Sequence, residues 1–357
     1  MALNPTQDQV MDALSRVIEP ELHKDLVTLN MVHNLKIGDG AVDFTVMLTT
    51  PACPLKNQIE AEARAAVMAV PGVKSVNVSF DASVPSDRRL LSKMDIGVKN
   101  AVAVASGKGG VGKSTIATNL ALALAQTGAG VGLLDADIYG PNIPLMMGVH
   151  ERPRASNGRI LPPQGYGVKL MSMGFLVEEG TPIIWRGPMI HSALRQFLSD
   201  VAWGDLDYMV VDLPPGTGDA SLSLAQSLSL TGVVIVTTPQ DVALADVIKG
   251  IAMFKHMEVP ILGVVENMSY FVCGHCGQRT DIFSHGGGEA TAAKYDVPFL
   301  GEIPLDASIR QAGDVGKPIV MAEPSSPAGK ALAGIARNVA AQISIANSAS
   351  QIVMIID

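Results

Sequence analysis

Cysteine is the first thing this chain lacks. Its 357 residues hold three, Cys53, Cys273 and Cys276, which excludes the disulfide framework of a small secreted domain. Aromatic residues make up only 4%. No window reaches the ~18 uninterrupted apolar residues of a membrane span, and Met1-Ala2-Leu3-Asn4-Pro5 has neither the charged head nor the apolar core of a secretory leader. Basic residues are outnumbered, 26 against 34 acidic, for a net charge of −8. With no long basic run to offset that balance, a nucleic-acid partner is disfavoured. The expectation is a protein of the cytoplasm with reduced thiols, bound to neither membrane nor nucleic acid.

What is present is aliphatic. Hydrophobic residues reach 48%, mostly Ala, Val, Leu and Ile, as suits parallel strands covered by Ala-rich helices. The length allows about two domains. Residues 1–85 read as a small α+β domain. Thr6 to Val17 has helical periodicity, and Met31 to Ile37 and Val42 to Leu48 are strands about a Gly38-Asp39-Gly40 hairpin signal. Leu55 to Ala69 is a second helix, and Val73 to Phe80 a third strand. A polar linker over 86–98 follows. From 99 to 345 apolar strands alternate with helices, the clearest strands being Ala101 to Ala105, Val131 to Leu134, Tyr208 to Asp212, Val233 to Thr237 and Ile261 to Asn267. That alternation predicts an α/β, doubly wound, mostly parallel sheet with ligands at the carboxyl ends of its strands. The tail, 346–357, continues an Ala/Ile-rich helical pattern.

The most informative stretch is Gly107-Lys108-Gly109-Gly110-Val111-Gly112-Lys113-Ser114-Thr115. It fits G-x-x-x-x-G-K-[ST] and stands between a predicted strand and a predicted helix, the context that gives the pattern meaning. Glycines let successive N–H groups and the helix N-terminus face one anion. Lys113 then reaches the β- and γ-phosphates, and the Ser114 hydroxyl is a Mg²⁺ ligand. Three carboxylate-bearing segments end other strands: Asp135-Ala136-Asp137, the run from Asp212 through Gly216 and Gly218 to Asp219, and Glu266-Asn267. Asp212 is the candidate for the Mg²⁺ shell, Asp137 for positioning the attacking water, and Asp135 for either role.

These segments resemble a known family. The loop with its extra lysine looks like the deviant Walker A ATPases, which include the MinD and ParA positioning proteins and the nitrogenase iron protein. Asp135 to Asn142, Asp212 to Asp219, Glu266-Asn267-Met268 and Cys273-Gly274-His275-Cys276 narrow the resemblance to the Mrp/ApbC iron–sulfur cluster carrier ATPases. That family often carries a small cluster-assembly-type domain ahead of the ATPase, and Thr50-Pro51-Ala52-Cys53-Pro54 is similar to its cysteine motif. The resemblance implies that Lys108 reaches the partner's nucleotide across a homodimer. It implies that Asn267 contacts the base, with Pro304 in a matching loop. No Asn-Lys-x-Asp guanine motif is present, so ATP is the expected nucleotide.

Cys273 and Cys276 form a Cys-x-x-Cys. Two thiolates complete neither a tetrahedral zinc site nor a cubane cluster. A two-fold dimer supplies four; the resemblance implies that they hold a bridging 4Fe–4S cluster passed on to apo-proteins. A dimer-bridging structural zinc has the same ligand count, and a redox pair is the third option. His275 is assigned to the turn, and Phe283 to Glu289 to a flexible glycine-rich loop. Cys53, at a predicted helix start, would have its thiol pKa lowered; a buried, inert cysteine is the alternative. Two rival functions remain: a positioning ATPase, which needs a basic face for DNA or a basic tail for membrane where only Arg337 follows Gly334, and an electron donor like the nitrogenase iron protein, whose cluster cysteines are not in Cys-x-x-Cys.

Overall fold

Thr6 starts the first helix with a reciprocal capping box to Gln9. The computed structural model describes residues 5–87, 97–176 and 187–356. They fall into two units, residues 1–85 with 344–357, and residues 86–343. In the first, α1 (Gln7–Leu14) is followed by the short paired strands β1 (Ile18–Glu19) and β2 (Lys24–Asp25). The hairpin of β3 (Val32–Gly38) and β4 (Ala41–Leu48) turns through Asp39 and Gly40, at φ 51 and 84. Two successive positive φ values are what a two-residue I′ turn demands. The helix α2 (Lys56–Met68) crosses over to β5 (Ser75–Ala82), parallel to β4. Alternate β4 residues Val42, Phe44, Val46 and Leu48 share one core with Ile59, Ala63 and Val67 of α2, the period-2 face meeting the helical stripe.

The second unit opens on β6 (Val98–Ser106), buried along nearly its whole length. A strand covered on both faces reads as an apolar run, without alternation. There follow α3 (Lys113–Ala125), β7 (Val131–Asp135), the one-turn α4 (Ile143–Met146), and the small hairpin β8 (Arg154–Ser156) and β9 (Arg159–Leu161). Next come β10 (Gln164–Gly165), β11 (Val168–Ser172), α5 (Gly187–Ser199), β12 (Leu206–Asp212), α6 (Asp219–Ser227), β13 (Gly232–Thr237), α7 (Asp241–His256) and β14 (Ile261–Glu266). The chain closes with the hairpin β15 (Phe271–Val272) and β16 (Arg279–Thr280), α8 (Gly287–Lys294), β17 (Phe299–Glu302), α9 (Ala307–Asp314), α10 (Ile319–Ala322) and α11 (Pro327–Ile356).

Eight strands form one sheet in the order β10-β11-β7-β12-β6-β13-β14-β17. All neighbours are parallel except the edge pair β10–β11. This is the expected fold class, an α/β mostly parallel sheet with a small α+β unit before it. Every core strand expected from sequence is present, and β10, β11 and β17 are added. Lys169 within β11, and the short glycine-containing run of β17, hide the apolar signal. The expected linker lies partly outside the described residues; Val98 already belongs to β6. Parallel register sets the carboxyl ends side by side: Asp212 pairs with Asp135, and Glu266 with Glu302.

Candidate functional site

The phosphate-loop sequence does curl at the carboxyl end of β6. Gly112 stands at φ 87 as the N-cap of α3, in the left-handed region that penalises any Cβ. A Cβ there would meet Nδ2 of Asn267 at 2.2 Å. Asn267 donates from that same Nδ2 to the carbonyl of Val111 at 2.8 Å. The end of β14 is therefore tied directly to the loop. Gly216, in the turn after β12, donates its N–H to the Ser106 carbonyl at 2.9 Å, which ties in the Asp212–Asp219 segment as well.

A cavity of about 440 Å³ opens over the loop, lined among others by Lys108, Lys113, Ser114, Asp137 and Tyr139. It continues, through shared Gly112, Thr115, Asn142 and Met146, into one of about 480 Å³ lined by Asn267, Pro304 and Asp306. The first has Lys113, Ser114 and the N-terminus of α3 on its wall, a seat for an anionic group. The second is more apolar, with Asn267 on its wall. Lys108, Lys113, Ser114, Asp137, Asn267 and Pro304 thus face two joined cavities.

Three carboxylates and one lysine meet behind the loop. Lys113, itself buried, puts Nζ 2.7 Å from Oδ1 of Asp212 and 3.4 Å from Oδ2 of Asp137. Ser114 donates its hydroxyl to Oδ2 of Asp212 at 2.5 Å. Burial pushes the Asp212 carboxyl upward, and the Lys113 charge opposes it. A serine hydroxyl beside a carboxylate is the hard-oxygen donor set that suits Mg²⁺. Asp135 does something else. Fully buried, it receives the Ser172 hydroxyl at 2.8 Å and the N–H groups of Asp137 and Ile143, each at 3.3 Å. It lines neither cavity; it pins the turn that aims Asp137. Burial first, and the Asp212 charge second, push its carboxyl up.

The two cysteines sit at the tip of the β15–β16 hairpin. The Cys273 N–H donates to the Gln278 carbonyl at 2.9 Å, and that of Gly277 to the Cys273 carbonyl at 2.8 Å. Cys276 is exposed and Cys273 half-buried. The backbone N–H groups of Cys276 and His275, with the Cys276 side chain, hold the Cys273 thiol below its usual range. His275 lies in the turn between the sulfurs. Of the two readings of Cys53, the structure fits the buried, inert thiol and not the lowered pKa. It precedes α2 by a turn, and burial, reinforced by the charges of Glu21 and Glu19, pushes its thiol up to about 11 against the pull of nearby N–H groups. Desolvation outweighs the helix terminus.

The glycine-rich segment is another correction. From Gly287 it is helix α8, and Gly286 and Gly288 donate N–H bonds to the buried Glu266 carboxylate at 3.1 and 2.5 Å. Ser172, Ser269, Arg279 and Glu302 were not legible in sequence, since isolated residues without a pattern give no signal. Among the described residues no helix is long and apolar enough to cross a membrane.

Known protein families match most of this chain. Residues 97–340 match the family described as NUBPL iron-transfer P-loop NTPase, and residues 7–80 the iron–sulfur cluster assembly protein family. An iron–sulfur cluster carrier protein of Synechocystis is 50% identical over 96% of this chain and 99% of its own length. One from Deinococcus radiodurans is 51% identical over 95% of this chain and 96% of its own. Among solved structures, an Archaeoglobus fulgidus nucleotide-binding protein in complex with ADP is 41% identical, with a TM-score of 0.57, and covers 65% of this chain and 92% of its own. The cell-division ATPase MinD of Pyrococcus furiosus shares the fold at a TM-score of 0.52 and 25% identity. On these matches the chain belongs to the iron-transfer P-loop NTPases, the iron–sulfur cluster carrier family, preceded by a cluster-assembly domain.

Proposed function

We propose that this protein binds and hydrolyses ATP and carries a 4Fe–4S cluster, held between two copies, to apo iron–sulfur proteins in the cytoplasm. The observation that carries this reading is the Cys273–Cys276 hairpin: two sulfurs at an exposed tip, one of them inclined to ionise, and two short of the four that a cubane requires. A second copy related by a two-fold axis completes the set. The relatives named as cluster carriers support the cargo assignment.

For hydrolysis, the backbone N–H groups of the loop and Lys113 seat the β- and γ-phosphates, and the partner's loop lends Lys108 to the developing charge. Ser114 and Asp212 are the residues that fit Mg²⁺, which when bound neutralises phosphate charge. Asp137, at the cavity wall, orients the attacking water. Asn267 and Pro304 take the adenine side. Loss of the γ-phosphate resets Asp135–Asn142 and Asp212–Asp219, and with them the dimer geometry that sets the grip of the four thiolates. Cys53, with its raised pKa, serves the small unit as an auxiliary thiol rather than as a first acceptor.

Anaerobic reconstitution with iron and sulfide tests the reading. About four irons per dimer, with a visible charge-transfer band, support it. About one zinc per dimer and no band favour a structural zinc instead. A Cys273→Ala/Cys276→Ala variant that still delivered cluster to an apo-acceptor at the normal rate would defeat it.

A further inference from the structure

Beyond Asn267 the chain bends at Met268, whose φ of 55 lies in the left-handed region, and enters a crowded corner. Glu266 and Glu302 end adjacent strands in register, so two carboxylates lie side by side at the rim of the sheet. Such a pair persists only if its charge is met. Ser269, fully buried, sets its hydroxyl 2.6 Å from Oε1 of Glu266, 3.0 Å from Oε2 of Glu302 and 3.0 Å from Nδ1 of His285. One hydroxyl proton serves only one carboxylate at a time. The positive charge comes from Arg279, whose guanidinium lies 3.4 Å from Oε1 of Glu302, within 2.9 and 3.1 Å of the two His285 nitrogens, and 3.9 Å from the centre of the Tyr270 ring.

Glu266, His285 and Glu302 bring ligand atoms within 4.8 Å of one another, a spacing a metal ion could use. Here the guanidinium already meets His285 and Glu302, and the Glu266 oxygens are taken by Ser269, Gly286 and Gly288. The corner is a brace, with arginine as its cation. Arg279 also pairs across the hairpin with Val272, the residue before Cys273. Leu305, beside Pro304 in the second cavity, donates its N–H to the Tyr270 carbonyl at 2.7 Å.

We infer that Arg279 and Ser269 are positioning residues that lock the base of the thiol hairpin to the strand end carrying Asn267, so that nucleotide occupancy is delivered to the sulfurs. Without the brace, a shift of Asn267 would be absorbed at Met268 and in the two-residue stem of the hairpin. With it, Tyr270, Arg279 and the sulfurs move as one body. The planar fork of arginine, stacked on a ring and facing a carboxylate, is a geometry lysine does not reproduce. The inference rests on the reading that nucleotide and thiol sites communicate, and its test needs no cluster.

Iron-free protein is treated with iodoacetamide, with and without saturating ATP and Mg²⁺, and modification of the Cys273–Cys276 pair is followed by mass spectrometry. In the unsubstituted chain, nucleotide changes the alkylation rate by about 5-fold or more, the lower end of ordinary coupling between sites. Arg279→Ala brings that ratio to about one while ATP binding is retained, and Arg279→Lys falls between the two. Ser269→Ala, which removes one oxygen, repeats the test should Arg279→Ala weaken the fold. The inference is overturned if the unsubstituted chain shows no nucleotide effect, or if a folded variant keeps the full effect. A chain that shows the ratio yet never assembles a cluster overturns the carrier reading and leaves this inference standing.

Discussion

Lys113 places Nζ 2.7 Å from Oδ1 of Asp212, with the carboxylate fully buried. Each group is the other's main reason for tolerating burial, because a lone charge there would forfeit its hydration. Lys113→Met therefore leaves Asp212 uncompensated, and the chain should lose about 3–5 kcal/mol in urea unfolding. The double variant Lys113→Met/Asp212→Asn should regain much of that loss, since it removes both charges. Equal unfolding midpoints for the single and double variants would show that the pair is not coupled.

Of the three aspartates near Lys113, Asp137 is the one that lines the cavity. Its Oδ1 accepts N–H bonds from Tyr139 and Gly140 at 3.2 and 3.3 Å, and Oδ2 lies 3.4 Å from Lys113. Held at both oxygens, it can orient water without swinging away. Asp137→Asn keeps the shape and removes the charge, so kcat should fall by about 10²-fold or more while ATP affinity stays near that of the unsubstituted chain. Steady-state hydrolysis with a separate binding titration checks both halves.

Thiol reactivity should separate the cysteines. Backbone N–H groups favour the Cys273 thiolate, whereas burial pushes Cys53 up to about 11. At about pH 8 roughly a thousandth of Cys53 is ionised, so it should alkylate far more slowly than Cys273. Timed labelling with mass spectrometry reads the order, and labelling of Cys53 first would contradict the burial argument.

The nucleotide site was readable because its chemistry is local. Glycines, lysine and serine occur in one run, and a strand before and a helix after are enough to place them. The aspartates after β7 and β12 were readable as strand ends, but not their division of labour. That Asp135 turns inward to Ser172 while Asp137 faces the cavity depends on β11, a strand with too mixed a pattern to announce itself. The brace around Ser269 was not readable at all. Its members come from β14, the hairpin, the α8 entry and β17, and only parallel register sets Glu266 beside Glu302. Sequence left Cys53 open between two readings for a related reason: proximity to a helix start is visible in sequence, whereas its burial and the nearness of Glu19 and Glu21 are tertiary.

Glu21 offers a pH test of the small unit. Burial first, then the charge of Glu19, raise its carboxyl from 4.5 to about 7. A raised folded value means that folding favours the protonated form. The stability it contributes is whole below 4.5 and is lost as pH climbs through about 7. Glu21→Gln should therefore melt higher than the unsubstituted chain at about pH 8, and the two should converge as pH falls towards about 4. A constant offset across that window would mean that the substitution acts by packing alone.

Gly112 is where backbone and nucleotide chemistry meet most closely. Its φ of 87 costs an alanine about 1–2 kcal/mol, and the new methyl would stand 2.2 Å from Nδ2 of Asn267. Gly112→Ala should therefore displace Asn267 from the Val111 carbonyl, distort the phosphate seat and abolish ATP binding in a fluorescent-nucleotide titration. The two costs can be separated. Gly112→Ala/Asn267→Gly removes the clash but leaves the left-handed backbone; measured against Asn267→Gly alone, so that the lost Asn267 contact cancels, it should recover nucleotide binding only in part. Full recovery would assign the whole effect to the clash, and undiminished binding in Gly112→Ala itself would mean that the loop does not hold this conformation when it takes up nucleotide.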